Sequence, residues 1–362
     1  MQFELAETHE SRAKIKVIGV GGGGGNAVNN MIRSGMTGVE FIAVNTDAQA
    51  LTQSLANLRF QLGQELTKGL GAGAKPEIGR EAAIEDRDFL SELLRDADMV
   101  FVTAGMGGGT GSGAAPVITQ LSKELGILTV AVVSRPFSFE GKVRAKNAEQ
   151  SLELLRQSAD TLITVPNDRL LQLGGNLQLV DAFKQADNVL YQAVRGVTDI
   201  INDDGIINID FADIRTIMED KGIAMMGVGQ ASGPSSVQFA TQQAINSPLL
   251  DDLSIRNASS ILLHFAGAQP LSIKDVTEAC EMIREEAHED ANIIWGWNAN
   301  EELQEDCRVT VIATGYPEHD YMTAPVDERI DMQFPGTQRV AAASGLGSGR
   351  DYNIPIFFSS DN

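Results

Sequence analysis

Across 362 residues, 49 carboxylates outnumber 28 lysines and arginines, leaving a formal charge of −21. With no Lys/Arg cluster to offset that field, the composition excludes a general nucleic-acid binder and a polybasic membrane-surface protein. At 43% hydrophobic and 21% charged residues, the make-up is globular, and the length suits about two domains, each with its own core.

The first 14 residues, MQFELAETHESRAK, are polar and hold no apolar signal core. No stretch reaches the roughly 18 apolar residues of a membrane span. We therefore expect a soluble, cytoplasmic chain with no direct membrane insertion, beginning with a flexible segment over 1–11. Short, unbroken, β-branched runs follow at 15–20, 39–44, 98–104, 127–133 and 161–165, with helix-like stretches at 25–35, 77–95, 113–125 and 142–158. Such alternation predicts an α/β domain over 12–176, with a Rossmann-like parallel sheet covered on both faces.

Residues 177–203 carry one long helical pattern, in which Leu179, Phe183, Ala186, Leu190, Ala193, Val194, Val197 and Ile201 recur at three- and four-residue steps. We read it as a central helix. Beyond it, 204–316 predicts an α+β domain. Its strands are expected at 222–230, 259–266, 292–297 and 307–315, and its helices at 210–220, 234–246 and 272–288. Residues 317–350 lack periodicity and read as a flexible linker, followed by a small apolar cluster in the terminal peptide 351–362. Cys280 and Cys307 show no C-x-x-C spacing and read as reduced thiols. His9, His264, His288 and His319 show no metal-ligand spacing, and Trp295 and Trp297 are expected to serve packing.

Two glycine runs carry the chemistry. GVGGGGGNA, after the first strand and before a helix, satisfies the dinucleotide pattern G-x-G-x-x-G. There, backbone N–H groups and a helix N-terminus favour phosphate. On that reading alone a nicotinamide-dependent oxidoreductase is a fair rival, with Asp47 in VNTDAQA in place of the acidic ribose partner. The second run, GMGGGTGSG at 105–113, has no Walker lysine but offers the hydroxyls of Thr110 and Ser112 for phosphate or metal-bound water. Two phosphate loops at the ends of two parallel strands imply one polyphosphate gripped from both sides, and no histidine offers a proton relay for an oxidoreductase.

The ordered motifs KVIGVGGGGGNAV, VNTDAQAL, TKGLGAGAKPEIGR, GGGTGSG, RPFSFEGKVR, NIDFADIRTIM and RVTVIATG closely resemble the tubulin/FtsZ family, in particular its bacterial cell-division members, from about residue 12 to 316. The resemblance implies a GTPase that polymerises head-to-tail into the filaments of the division-ring scaffold at mid-cell. A divergent paralogue with another scaffold role is the alternative.

It also implies a site for GTP or GDP. Gly22, Gly23, Gly24 and Asn26 would act from the first loop, and Gly108, Gly109, Thr110 and Gly111 from the second. Glu140 and Arg144 would lie at the ribose and phosphate end, Phe183 would stack on the base, and Asn167 and Asp187 would sit at its edge. A carboxylate at Asp187 suits the N1–H and 2-amino donors of guanine, which adenine lacks. Mg²⁺ would enter on the GTP phosphates, with no direct protein ligand.

Taken alone, Asp210 and Asp213 read as an N-cap and a first-turn carboxylate. The resemblance instead makes them, with Asn208, catalytic groups acting on the adjacent subunit's GTP. The family's tail has an I-P-x-F core that docks division proteins such as FtsA or ZipA. Ile354, Pro355 and Phe357 keep that core, but polar and acidic residues stand where basic ones are expected.

Overall fold

The β-branched runs form strands, and the segments between them form helices with one apolar face. A computed structural model describes residues 13–173, 178–202, 210–219, 221–247, 249–250, 255–268, 271–300, 303 and 306–317. In chain order these are β1 Ile15–Val20, α1 Gly21–Arg33, β2 Glu40–Asn45, α2 Ala48–Thr52, β3 Leu58–Gln61, α3 Gln64–Thr67, α4 Pro76–Glu85 and α5 Arg87–Leu94. Next come β4 Met99–Gly105, α6 Thr110–Glu124, β5 Leu128–Arg135, α7 Lys142–Ser158, β6 Thr161–Pro166, α8 Asn167–Leu173 and α9 Leu179–Asn202. After α9 follow α10 Phe211–Met218, β7 Gly222–Ser232, α11 Ser236–Ile245, β8 Ser260–Gly267, α12 Ile273–Glu286, β9 Asn292–Ala299 and β10 Asp306–Thr314. Asn208, most of the expected linker, and Ile354, Pro355 and Phe357 of the terminal peptide lie outside the described residues.

These strands lie in one sheet in the order β3-β2-β1-β4-β5-β6-β7-β10-β8-β9. Pairing is parallel from β3 through β7, antiparallel on both sides of β10, and parallel between β8 and β9. The first six strands follow the doubly wound order, whose switch point falls between β1 and β4 and opens a crevice at their carboxyl ends. That order sets the glycine run after β1 beside the one after β4.

Alternate side chains of the buried strands feed two cores. Ile15, Val17, Phe101 and Val130 pack with Val28 and Met31 of α1 and Leu190, Ala193 and Val194 of α9. Ile18, Val20, Val100 and Val102 pack on the other face with Leu90 of α5, Ile118 of α6 and Leu155 of α7. Both faces are covered, as the unbroken apolar runs require.

The structure departs from the expected elements in several places. The helix predicted over 77–95 is broken at Asp86, whose carboxylate accepts the Gly63 N–H at 2.7 Å. β3 is a four-residue edge strand, LRFQ, with no apolar run to announce it. α1 begins at Gly21, four residues early, so the glycine run is itself the first helical turn. The second block does not keep a sheet of its own, because β7 pairs with β6 through Thr161–Gly222, Leu162–Ile223 and Ile163–Ala224. Asp160 secures that join. Its backbone N–H and its Oδ2 bond Thr129 at 2.9 and 2.8 Å, and its carbonyl oxygen accepts Lys221 and Gly222 N–H at 2.9 and 3.0 Å.

The 24 residues of α9 span about 36 Å. The helix packs on α1 and on β5, β6, β8 and β9. Leu179 and Phe183, assigned to its inward stripe by periodicity, are 59% and 42% exposed, while Ala182 and Ala186 in the same two turns are buried.

Cys280 and Cys307 are free thiols, and burial pushes both up, Cys307 to about 11. Trp297 is buried and Trp295 meets Phe265 edge-on at 6.3 Å. With Ile273 and Cys280 the two tryptophans border a cavity of about 660 Å³.

Candidate functional site

At the carboxyl ends of β1 and β4, two helices start side by side. α1 opens on Gly21 and α6 on Thr110, with Gly109 as its N-cap. Their backbones touch. A Cβ on Gly23 would stand 3.0 Å from Gly105 Cα, and one on Gly21 would stand 2.9 Å from Gly111 N. Gly24 and Gly111 turn inward. A Cβ on Gly24 would meet the Thr103 carbonyl oxygen at 2.2 Å, and one on Gly111 would meet that of Gly105 at 2.7 Å. Gly22, Gly25 and Gly108 are the opposite case, with open space where a Cβ would project. Two helix N-termini, each with uncapped N–H groups and bare glycine surface, form a cradle suited to phosphate.

Beside this cradle lies a cavity of about 590 Å³, lined among others by Gly21, Gly22, Gly25, Asn26, Asn29 and Asp187. Of the expected residues, Gly22 and Asn26 of α1 and Asp187 of α9 therefore border the same cavity. Burial pushes the Asp187 carboxyl up to about 6, the signature of a carboxylate held out of water without a partner for its charge.

The remaining expected residues reach the cleft through a chain of contacts. Phe183 meets Phe137 edge-on, with centroids 5.2 Å apart and planes at 86°, and Phe137 stacks on Phe139 at 4.9 Å. The Phe137 N–H donates to Glu140 Oε1 at 2.9 Å, while Glu140 Oε2 accepts from Arg144 at 2.7 Å. A Cβ on Gly107 would stand 2.8 Å from the Arg144 carbonyl oxygen, and Gly107 has φ +96°, a conformation that favours glycine. Asn167 opens α8 at the end of β6. It is 4% exposed, and its Oδ1 has no hydrogen-bond partner. A buried acceptor left open at the cleft end of a strand fits a donor supplied by a ligand.

The hydroxyls expected for phosphate are already engaged. Ser112 Oγ accepts the Gly107 N–H at 2.8 Å and so braces the second loop, and Thr110 Oγ1 lies 2.6 Å from Thr46 Oγ1. Asp47, the formal ribose partner of the dinucleotide reading, caps α2, its Oδ1 accepting Gln49 and Ala50 N–H at 2.8 and 3.2 Å.

Asp210 and Asp213 are not brought to this cleft. Both are exposed at the start of α10, and the Asp210 side chain caps no backbone N–H there. The last turn of α10 bonds the opposite end of the sheet: the Thr161 hydroxyl, at the first residue of β6, donates to the Met218 carbonyl oxygen.

The sequence offered no signal for several residues the structure adds. Asn29 bridges α1 to the loop after α2, donating to the Gln53 carbonyl at 3.3 Å and accepting Leu55 N–H at 2.7 Å. Arg33 and Lys184 bring positive charge to the cavity. Polar residues on a helix facing a cleft look like an ordinary solvated face until the wall opposite is known.

Comparisons with known proteins converge on one family. The profile of the tubulin/FtsZ GTPase domain matches residues 14–175, and that of the FtsZ C-terminal domain matches residues 222–317. A cell division protein FtsZ of Pseudomonas aeruginosa is 51% identical over 314 residues, covering 86% of this chain and 80% of its own. An FtsZ dimer of M. jannaschii shares the structure with a TM-score of 0.82 at 43% identity, over 85% of this chain and 89% of its own. CetZ2 of Haloferax volcanii, solved as a GTPγS-bound protofilament, has a TM-score of 0.72 at 22% identity, over 84% of this chain and 94% of its own, and shares the fold. With its glycine cradle at the switch point and both halves matched, the chain belongs to the tubulin/FtsZ family, on its FtsZ branch of cell-division GTPases.

Proposed function

We propose that this chain hydrolyses GTP between the subunits of a head-to-tail filament, and that such filaments form the scaffold of the division ring at mid-cell in the cytoplasm. The observation that carries the reading is the separation of Asp210 and Asp213 from the cleft. α10, which carries the two exposed carboxylates at its start, is bonded through its last turn to the amino end of β6, the end of the sheet away from the glycine cradle. Stacking one subunit on the next brings them together.

In this arrangement Gly22, Gly23, Asn26, Gly108, Gly109 and Thr110 hold the phosphates. Gly24 and Gly111 bring the two helices close enough to do so. Glu140 and Arg144 serve the ribose and phosphate end, Phe183 the base face, and Asn167 and Asp187 the base edge. Asp187 accepts from guanine N1–H and its 2-amino group, selecting GTP over ATP. The neighbour's Asp210 and Asp213, with Asn208, orient a water and take its proton as it attacks the γ-phosphorus. The bond to the β-phosphate oxygen breaks, leaving GDP and phosphate. Mg²⁺, if carried on the phosphates, would supply neutralisation of the developing charge there. Residues 12–176 thus bind, 204–316 activate, and the helix over 177–203 joins them.

Exposed apolar side chains fit assembly: Leu70, Phe139, Val143, Leu179 and Val180 are 85%, 57%, 73%, 59% and 63% exposed, side chains that a neighbour would cover. A head-to-tail contact does not close on itself and so grows into filaments. Membrane-tethering partners of the FtsA or ZipA kind would dock on Ile354, Pro355 and Phe357, without the basic residues that strengthen such contacts.

The test is GTP turnover per subunit against protein concentration, with light scattering in parallel. Turnover should switch on at the concentration where scattering rises. Turnover independent of concentration would refute the shared site, and a chain that binds ATP as well as GTP would refute the base assignment.

A further inference from the structure

Thr46 and Thr110 face each other with their hydroxyl oxygens 2.6 Å apart, in the buried floor where the two glycine loops meet. Thr46 follows β2 and is fully buried, and Thr110, the first residue of α6, is 9% exposed. The Thr46 carbonyl oxygen is also engaged, accepting Gly71 N–H at 3.1 Å and the Thr67 hydroxyl at 3.3 Å. One residue therefore grips the 67–71 loop with its main chain and the second glycine loop with its side chain.

Each hydroxyl has a single proton and two acceptor lone pairs. In a facing pair one hydroxyl donates, and the other keeps its proton free for a third group. An anion above the cradle decides which: it draws the Thr110 proton toward itself, and a donor behind Thr110 then strengthens that bond by polarising it.

We propose that Thr46 is a positioning residue for the nucleotide: its hydroxyl donates to Thr110 Oγ1 and so fixes the Thr110 proton toward a phosphate oxygen. The inference rests on the reading of the cleft as the GTP site. It adds a group that touches no ligand and acts through another residue. Valine at position 46 keeps the volume and removes the donor, and serine keeps the donor.

The experiment uses the full chain below its assembly threshold and measures affinity for GTP and for guanosine, which lacks phosphate. Thr46→Val should weaken GTP about threefold to tenfold, the worth of one hydrogen bond, and leave guanosine unchanged. Thr46→Ser should restore GTP affinity. In a Thr110→Val background, Thr46→Val should cost nothing further. Unchanged GTP affinity in Thr46→Val overturns the proposal, as does an equal loss for guanosine, a serine variant as weak as valine, or additive losses in the double variant. If Thr46→Val does not fold, the same comparison runs between Thr46→Ala and Thr46→Ser. A wild-type chain that binds no guanine nucleotide would instead overturn the reading of the cleft, and the proposal with it.

Discussion

The carbonyl oxygen of Thr103 lies 2.2 Å from the point where a side chain on Gly24 would begin. α1 is pressed onto β4 at that spot, and the five-glycine run has two jobs divided residue by residue: Gly24 lets the helix reach the sheet, while Gly22 and Gly25 leave the outer surface bare.

That division is testable by placing a methyl at each position. Gly24→Ala should destabilise the fold by about 1–3 kcal/mol through overpacking. Gly25→Ala, with nothing within 4 Å of its Cβ, should hold the melting temperature and weaken nucleotide binding, because its methyl enters the cavity. Thermal unfolding and a GTP titration on the two variants separate the effects.

Asp187 predicts a pH dependence. Its carboxyl is raised from 3.8 to about 6 by burial, so the unbound fold holds this proton more tightly than the unfolded chain does. The group therefore costs stability above about pH 6, and that cost fades as the pH falls through 6. Guanine needs the ionised form. GTP affinity should be flat above pH 6 and fall below it, approaching about tenfold per pH unit. Asp187→Asn should abolish that slope, lower affinity at pH 7 and raise the melting temperature of the unbound chain. Titrations from pH 5 to 7.5 decide it.

Asp213→Ala should leave GTP binding and the melting temperature intact while lowering turnover about a hundredfold or more, the range of a lost general base. Mixed with a variant that cannot bind GTP, Asp213→Ala should regain turnover, since the interface between its nucleotide and the other chain's carboxylates is complete. No turnover in that mixture would argue for sites complete within one chain.

Leu70 is 85% exposed on a loop whose next residue, Gly71, is bonded to Thr46. Leu70→Ser should not change the melting temperature, because the side chain packs against little. It should raise the protein concentration at which scattering and turnover begin, a shift measurable in one dilution series.

The sequence was readable where burial acts on both faces of a strand. β1, β2, β4, β5 and β6 stand within a residue or two of their apolar runs, since a strand covered on both sides has no polar face to confuse the pattern. β3 was illegible because its four residues form an edge, and the break between α4 and α5 because a distant backbone group, Gly63 N–H, fixes it through Asp86. In the site, the glycines announced themselves by their rarity in runs. Asn29 and Thr46 did not, because an asparagine on a helix and a threonine after a strand take their meaning from partners 26 and 64 positions away. Phe183 marks the limit of periodicity: its spacing matches the buried stripe of α9, yet it is 42% exposed where Ala182 and Ala186 beside it are buried.

The ladder between β6 and β7 has three register pairs, while β7 and β10 share nine. Main-chain pairing between the first six strands and the last four therefore runs through Thr161–Ile163 alone, with Asp160 bonded to β5 on one side and to the start of β7 on the other.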